Sequence, residues 1–215
     1  MAPNPKSILL GSSILLPAFT LAAFQLTTRL LGPQRGYLTG LVLYWAYALA
    51  VAAWFARGRE GYLRELLKPG ALTGPRVLWS ASCFIPVYVV FFIAFLPNVA
   101  SLGARLSFLV VATAAANASV EELYWRGLYL REFGDNALIG LWIATALFGG
   151  WHVSLYLIEG ITFRGGFGAL VGGAAAMGLL WSYVSRRLGN VAATTLAHVL
   201  VNAFTFTQLY VDNGF

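Results

Sequence analysis

SILLGSSILLPAFTLAAFQLTT, residues 7–28, runs for 22 residues without a charge between Lys6 and Arg29. The hydrocarbon layer is about 30 Å thick and a helix rises about 1.5 Å per residue, so roughly 20 apolar residues span it. The same punctuation recurs along the chain. Residues 36–56 lie between Arg35 and Arg57, and residues 77–104 between Arg76 and Arg105, the latter with room for a re-entrant or loop portion near Pro97 and Asn98. Residues 106–130 are apolar apart from Glu121, Glu122 and Arg126; residues 141–158 carry no charge but contain His152. Residues 167–185 are uncharged and rich in Gly and Ala, and residues 191–210 contain His198 and Asn202. The reading is an all-α polytopic transmembrane bundle of about seven spans (six to eight).

Composition agrees. Of 215 residues, 59% are hydrophobic and 10% charged, against about a quarter charged in soluble domains. The basic residues are also asymmetric. With seven spans, Lys6, Arg57, Arg59, Arg64, Lys68, Arg76, Arg126, Arg131, Arg186 and Arg187 fall on one side, and Arg29, Arg35, Arg105 and Arg164 on the other. Ten against four places the N-terminus and the 57–76 loop in the cytoplasm. The net charge of +6 then reflects orientation and anionic lipid, and a nucleic-acid partner is excluded for want of a soluble basic face. A multi-pass protein of the cytoplasmic (inner) membrane is expected. The first apolar run exceeds the core of a signal peptide, so it reads as a retained span. Cys83, the only cysteine, rules out an internal disulfide.

Residues 57–76 form the one sizeable polar stretch, with an interfacial helix expected around residues 62–67 and closed by Pro69 and Gly70. Small residues four apart, Gly168 with Gly172 and Ala174 with Gly178, are expected to let helices approach closely in lipid.

Ionisable residues inside spans are costly unless paired, and each is a functional-site hypothesis. Three groups qualify: Glu121-Glu122-Leu-Tyr-Trp-Arg126, His152 four residues after Phe148, and His198 four before Asn202. Both histidines of the chain are used. Residues four apart share a helical face, so Glu122 reaches Arg126, and His198 and Asn202 point together. Glu121 is turned about 100° from Glu122 and is expected to face the polar centre. Counted from the span limits, Glu121, His152, His198 and Asn202 lie about 15, 16, 10 and 16 Å deep, toward the cytoplasm.

Glu121, His152 and His198 have the donor types for Zn²⁺, yet no His-Glu-x-x-His or other paired-His spacing is present. The metal-free alternative makes Glu121 a general base on water with His152 orienting it. His198 and the Asn202 amide then donate to a developing oxyanion. No cofactor is expected, and Zn²⁺ is disfavoured.

In order, Glu121-Glu122-Leu123-Tyr124-Trp125-Arg126, Phe148-Gly-Gly-Trp-His152 and His198-Val-Leu-Val-Asn202 resemble the EExxxR, FxxxH and HxxxN motifs of the CPBP family of CAAX and bacteriocin-processing (Abi) intramembrane endopeptidases. The resemblance covers residues 119–204. It implies a helix bundle around a conical cavity open to the cytoplasm, and glutamate-dependent hydrolysis in which Glu121 and His152 activate water and His198 and Asn202 form the oxyanion site. Glu122, Arg126 and Phe148 support them. No long linker, low-complexity tract or repeat divides the chain, so one membrane domain, 1–215, is expected, with variable spans in 1–105 and the motif-bearing catalytic core in 106–215. The partner would be a membrane-associated protein or peptide: a prenylated C-terminus, a leader peptide or a C-terminal sorting signal. The alternative function is a non-catalytic proton or ion relay, or transport.

Overall fold

The computed structural model describes residues 4–71 and 73–215. Its helices are α1 (Pro5–Leu31), α2 (Pro33–Ala56), α3 (Tyr62–Leu67), α4 (Pro75–Phe95), α5 (Ala104–Phe133), α6 (Leu138–Tyr156), α7 (Gly168–Leu188) and α8 (Ala192–Asp212). No strand occurs among the described residues. Helices satisfy their own backbone polar groups, which is the requirement lipid imposes.

Six of these, α1, α2 and α4 to α7, are long and apolar enough to cross a membrane. The seventh long helix, α8, has 21 residues, but Thr194, His198, Asn202 and Thr207 lower its mean hydropathy. All four are buried, so the polarity that sets α8 apart is turned away from lipid. The chain is an integral membrane helix bundle, with its span number inside the expected range.

The start of α1 is capped by Asn4, whose Oδ1 accepts from the Lys6 amide at 3.0 Å, and Pro5 opens the first turn. Gly32, at φ 80°, ends α1, and Pro33 begins α2 at once. The hairpin is tight because Gly36 and Gly40 lack side chains. A Cβ at Gly36 would lie 2.3 Å from Thr28 Cα, and one at Gly40 would lie 2.2 Å from the Phe24 ring. This Gly-x-x-x-Gly pair is the close-packing device of the fold.

The expected pair on α7 divides. Gly178 does pack, but a Cβ at Gly168 or Gly172 would meet nothing within 4 Å. A side chain at those two positions would therefore clash with no neighbouring helix, so close approach does not require glycine there. Among the described residues, the long 77–104 run holds no re-entrant helix. Pro86 lacks the N–H for the ladder, and α4 breaks at Cys83–Phe84. Turns at 96–98 and a 3₁₀ turn, Val99–Ser101, then lead to α5.

The central pair is α5 and α8, which run antiparallel: His198 of α8 meets Glu121 of α5. Three turns further on, Tyr210 donates to Thr113 Oγ1 at 2.9 Å. The short α3 lies beneath the C-terminal end of α5. Tyr62 and Leu66 are buried, and the Leu66 carbonyl accepts from the Val191 amide at 2.9 Å, just ahead of α8.

Basic side chains gather at this end. The Lys6 ammonium lies over Phe133, Arg59 pairs with Glu132 at 2.7 Å, Arg131 pairs with Glu65 at 2.6 Å, and Arg76 donates to the Leu188 carbonyl. Arg126 does not belong with them. It is buried in the bundle, because a carboxylate four residues earlier, Glu122, neutralises it. Removing it from the side counted as cytoplasmic changes ten against four to nine against four, which leaves the asymmetry intact.

Candidate active site

The helical hydrogen bonding of α5 changes register at the site. It is α-helical from Ala104 to Glu121, π-helical from Glu122 to Leu128, and α-helical again from Tyr129 to Phe133. Such widened turns are frequent at functional sites, and this one begins between the two glutamates. Glu121 is 1% exposed and Glu122 0%.

Both carboxylates converge on a single imidazole. His198 Nδ1 is 2.9 Å from Glu122 Oε1, and His198 Nε2 is 3.3 Å from Glu121 Oε2. The sequence geometry, with adjacent side chains turned about 100° apart, treats the glutamates as facing different surroundings. The structure instead places His198 between them. Glu122 also forms an ion pair with Arg126, Nη1 to Oε1 at 3.2 Å, as the i, i+4 spacing predicts. Since that pair leaves Glu122 an acceptor, His198 Nδ1 carries the hydrogen between them.

Aromatic rings surround this polar chain. The Arg126 guanidinium lies 3.9 Å from the Phe148 ring centroid and 5.8 Å from that of Trp181. Phe148 stands edge-on to both His152, at 4.8 Å, and His198, at 6.4 Å. Its ring therefore separates the two histidines. Trp181 lies 4.5 Å from His198 and donates its Nε1–H to the Cys83 carbonyl at the break in α4. Gly178 of α7 makes room for the Phe148 and Arg126 side chains, which an added Cβ would approach to 2.8 and 3.2 Å.

His152 is near this cluster but not bonded to it. Its Nδ1 is 2.8 Å from the Phe148 carbonyl, one turn back on α6. A carbonyl only accepts, so Nδ1 carries the proton and Nε2 keeps a lone pair. No ion-pair contact joins His152 to either glutamate among the described residues, and its side chain is the more exposed of the two histidines. Asn202 follows His198 by one turn on α8 and is buried, with no hydrogen-bond partner for Nδ2.

Much hydrogen-bonding capacity is left unused here. Among the described residues, ten buried side-chain polar atoms lack a partner. Six of them are Glu121 Oε1, Glu122 Oε2, the three Arg126 nitrogens and Asn202 Nδ2, Arg126 Nη1 meeting Glu122 as an ion pair without a hydrogen bond. Buried polar groups elsewhere in proteins are nearly always satisfied, so this concentration marks a place built for polar chemistry.

The donors do not fit a metal as arranged. Both ring nitrogens of His198 face carboxylate oxygens, and His152 offers only Nε2. No group of three His, Cys, Asp or Glu side chains with metal-holding geometry occurs among the described residues. Two surface clefts, one over Ala56–Arg64 and one bounded by Pro69, Arg76 and Asn190, lie at the α3 end, and neither includes a site residue. Neither is the conical cavity that the resemblance implies.

Sequence reasoning missed several contributors. Asn117 is a buried amide one turn before Glu121, and its Oδ1 accepts from Trp45 Nε1 at 2.9 Å. Tyr44 of α2 is fully buried, accepts from Trp125 Nε1 at 3.1 Å and stacks on Trp151 at 4.3 Å. A polar amide within an apolar run was the legible signal for Asn117; tyrosine and tryptophan are too common in spans to stand out.

Comparison with curated proteins and with solved structures gives no match. The sequence model of the family described as type II CAAX prenyl endopeptidase Rce1-like matches residues 103–204. That segment begins just before α5 and contains the glutamates, both histidines, Arg126, Phe148 and Asn202. Over that segment the chain is similar to the CAAX-protease family of membrane endopeptidases.

Proposed function

We propose that the protein is a glutamate-dependent intramembrane endopeptidase, cleaving a peptide bond near the C-terminus or membrane segment of a membrane-associated substrate, and that it works without a metal. The observation that carries this reading is the chain of contacts Glu121–His198–Glu122–Arg126 with its six unpartnered polar atoms. A cluster that only glued helices together would spend those atoms on itself.

In this reading Glu121 takes a proton from water as the water oxygen attacks the scissile carbonyl carbon. The lone pair of His152 Nε2 orients that water. His198, which in this reading is protonated on both ring nitrogens between the two carboxylates, donates its Nε2–H to the oxyanion together with the free Nδ2 of Asn202. When the C–N bond breaks, Glu121 returns the proton to the leaving amine. His198 Nε2 and Glu121 Oε2, 3.3 Å apart in the resting arrangement, part to admit water and substrate. Glu122, bound to both Arg126 and His198 Nδ1, holds the imidazole in place.

The test is turnover of a fluorogenic farnesylated peptide carrying a C-terminal Cys-aliphatic-aliphatic-X sequence, by protein purified in detergent. Glu121→Gln, His152→Ala and His198→Ala are expected to lose at least about a hundredfold in kcat, with unchanged elution on gel filtration. Normal turnover in all three variants would overturn the reading. Loss of wild-type turnover on chelation, restored by Zn²⁺, would overturn its metal-free part. Proton flux through reconstituted vesicles that stops in the same variants, with no peptide cleaved by the wild type, would establish the relay instead.

A further inference from the structure

The matched segment does not contain the whole site. Two neighbouring aromatic residues of α2, Tyr44 and Trp45, lie outside residues 103–204 and bond to α5 residues on either side of Glu121. Tyr44 accepts the Trp125 Nε1–H at 3.1 Å. That bond uses a lone pair of the phenol oxygen and leaves its O–H to donate elsewhere. Trp45 donates Nε1–H to Asn117 Oδ1 at 2.9 Å, which takes up the amide oxygen and leaves the NH₂ group to donate. Asn117 is one turn before Glu121 on the same face of α5. The two bonds therefore bracket Glu121, with Asn117 four residues before it and Trp125 four after it on α5, and Glu121 Oε1 between them has no completed hydrogen bond.

The two indoles thus do matching work. Each engages an acceptor atom of a neighbour, which leaves that neighbour's hydrogen free to donate toward the carboxyl group between them. Stacking of Tyr44 on Trp151, at 4.3 Å and 24° between planes, fixes the phenol further. Resting on the reading of Glu121 as the general base, we infer that Tyr44, Trp45 and Asn117 are positioning residues that hold the Glu121 carboxyl for proton abstraction, so that α2 contributes to the catalytic site. Partners of this kind around a reactive group are commonly worth about 10–100-fold.

Tyr44→Phe and Trp45→Phe remove one hydrogen-bonding atom each and keep a ring. Each is expected to lower kcat on the farnesylated peptide about tenfold with KM and the thermal unfolding midpoint unchanged. Asn117→Ala is expected to match Trp45→Phe, and the double variant to lose no more than either single one, because both break one bond. A readout independent of turnover comes from ¹⁵N-indole labelling in micelles. Glu121→Gln should shift the Trp45 and Trp125 indole signals and leave that of Trp54, which is 42% exposed, in place.

Unchanged kcat in Tyr44→Phe and Trp45→Phe, or losses that only follow a lowered midpoint, would overturn the inference while leaving the base assignment standing. So would additive losses in the double variant, or indole signals that ignore Glu121→Gln. Full activity of Glu121→Gln would remove the base assignment, and the inference with it.

Discussion

At the scale of single residues, the site depends on one absent side chain as much as on those present. Phe148 carries Arg126 on its face and stands between His152 and His198, and it fits only because Gly178 lies behind it. Gly178→Ala puts a methyl 2.8 Å from the Phe148 ring and 3.2 Å from Arg126 Nη2. The ring is wedged between aromatic neighbours, so relief requires a shift of the site. Overpacking of this kind costs about 1–3 kcal/mol, which thermal unfolding in detergent would show as a lowered midpoint, together with reduced peptide turnover. Gly172→Ala, whose Cβ meets nothing, is the matched control and is expected to stay within about 0.5 kcal/mol of the parent. Both glycines satisfy the same small-residue spacing. Only packing partners far away in sequence tell them apart, and that is why the sequence singled out both. The same limit hid Gly36 and Gly40, while the in-span charges and histidines were plain because lipid makes them so costly.

At the scale of elements, α3 is a six-residue helix, too short to persist alone, and it is held by its neighbours. Glu132 of α5 accepts from both Arg59, at 2.7 Å, and Tyr62 Oη, at 2.9 Å. Glu132→Gln is therefore expected to free α3, seen as faster trypsin cleavage at Arg59 and Arg64 and faster amide exchange over residues 62–67. The second tie, Glu65 to Arg131 at 2.6 Å, gives a pH dependence. The hydrogen bond from Arg131 holds the Glu65 carboxyl below its usual 4.5. A carboxylate lowered on folding contributes stability above its unfolded value and loses it as pH falls through the folded one. Protection of the α3 amides, corrected for the intrinsic pH dependence of exchange, should thus be steady above about pH 5 and fall below about pH 4, an effect that Glu65→Gln removes. Because the pair is solvent-exposed, salt should weaken it. The interfacial helix and its position were legible from the polar 57–76 stretch; its docking partners were not, because Glu132 follows it by some seventy residues. The π-helical turn at Glu122 was equally hidden, since its widened hydrogen bonding leaves no mark on residue type.

At the scale of the whole molecule, orientation in the bilayer follows from where the basic ends gather. Arg59, Arg76, Arg131 and Arg186 cluster with Lys6 around α3 and the end of α5. Arg164 pairs instead with Asp212 at the opposite end, where Gln34 and Thr162 bind Asn213. The asymmetry was readable from spacing alone because charges mark span ends. The burial of Arg126 was not, because a buried ion pair and an exposed one have the same i, i+4 signature. The positive-inside rule counts residues near span ends, so it predicts that the α3 end faces the cytoplasm. The lone cysteine allows a clean test. Cys83 is fully buried, and a membrane-impermeant maleimide should label it only after SDS unfolding. In a Cys83→Ser background, Gly58→Cys and Gly103→Cys place a thiol at opposite ends of the bundle; nothing lies within 4 Å of an added Cβ at either, and the φ of 72° at Gly58 adds backbone strain confined to an exposed turn. Gly103→Cys should react in intact cells, and Gly58→Cys only once the membrane is permeabilised. The reverse pattern would invert the molecule and turn α3, with the Glu121 site above it, away from substrates tethered on the cytoplasmic face.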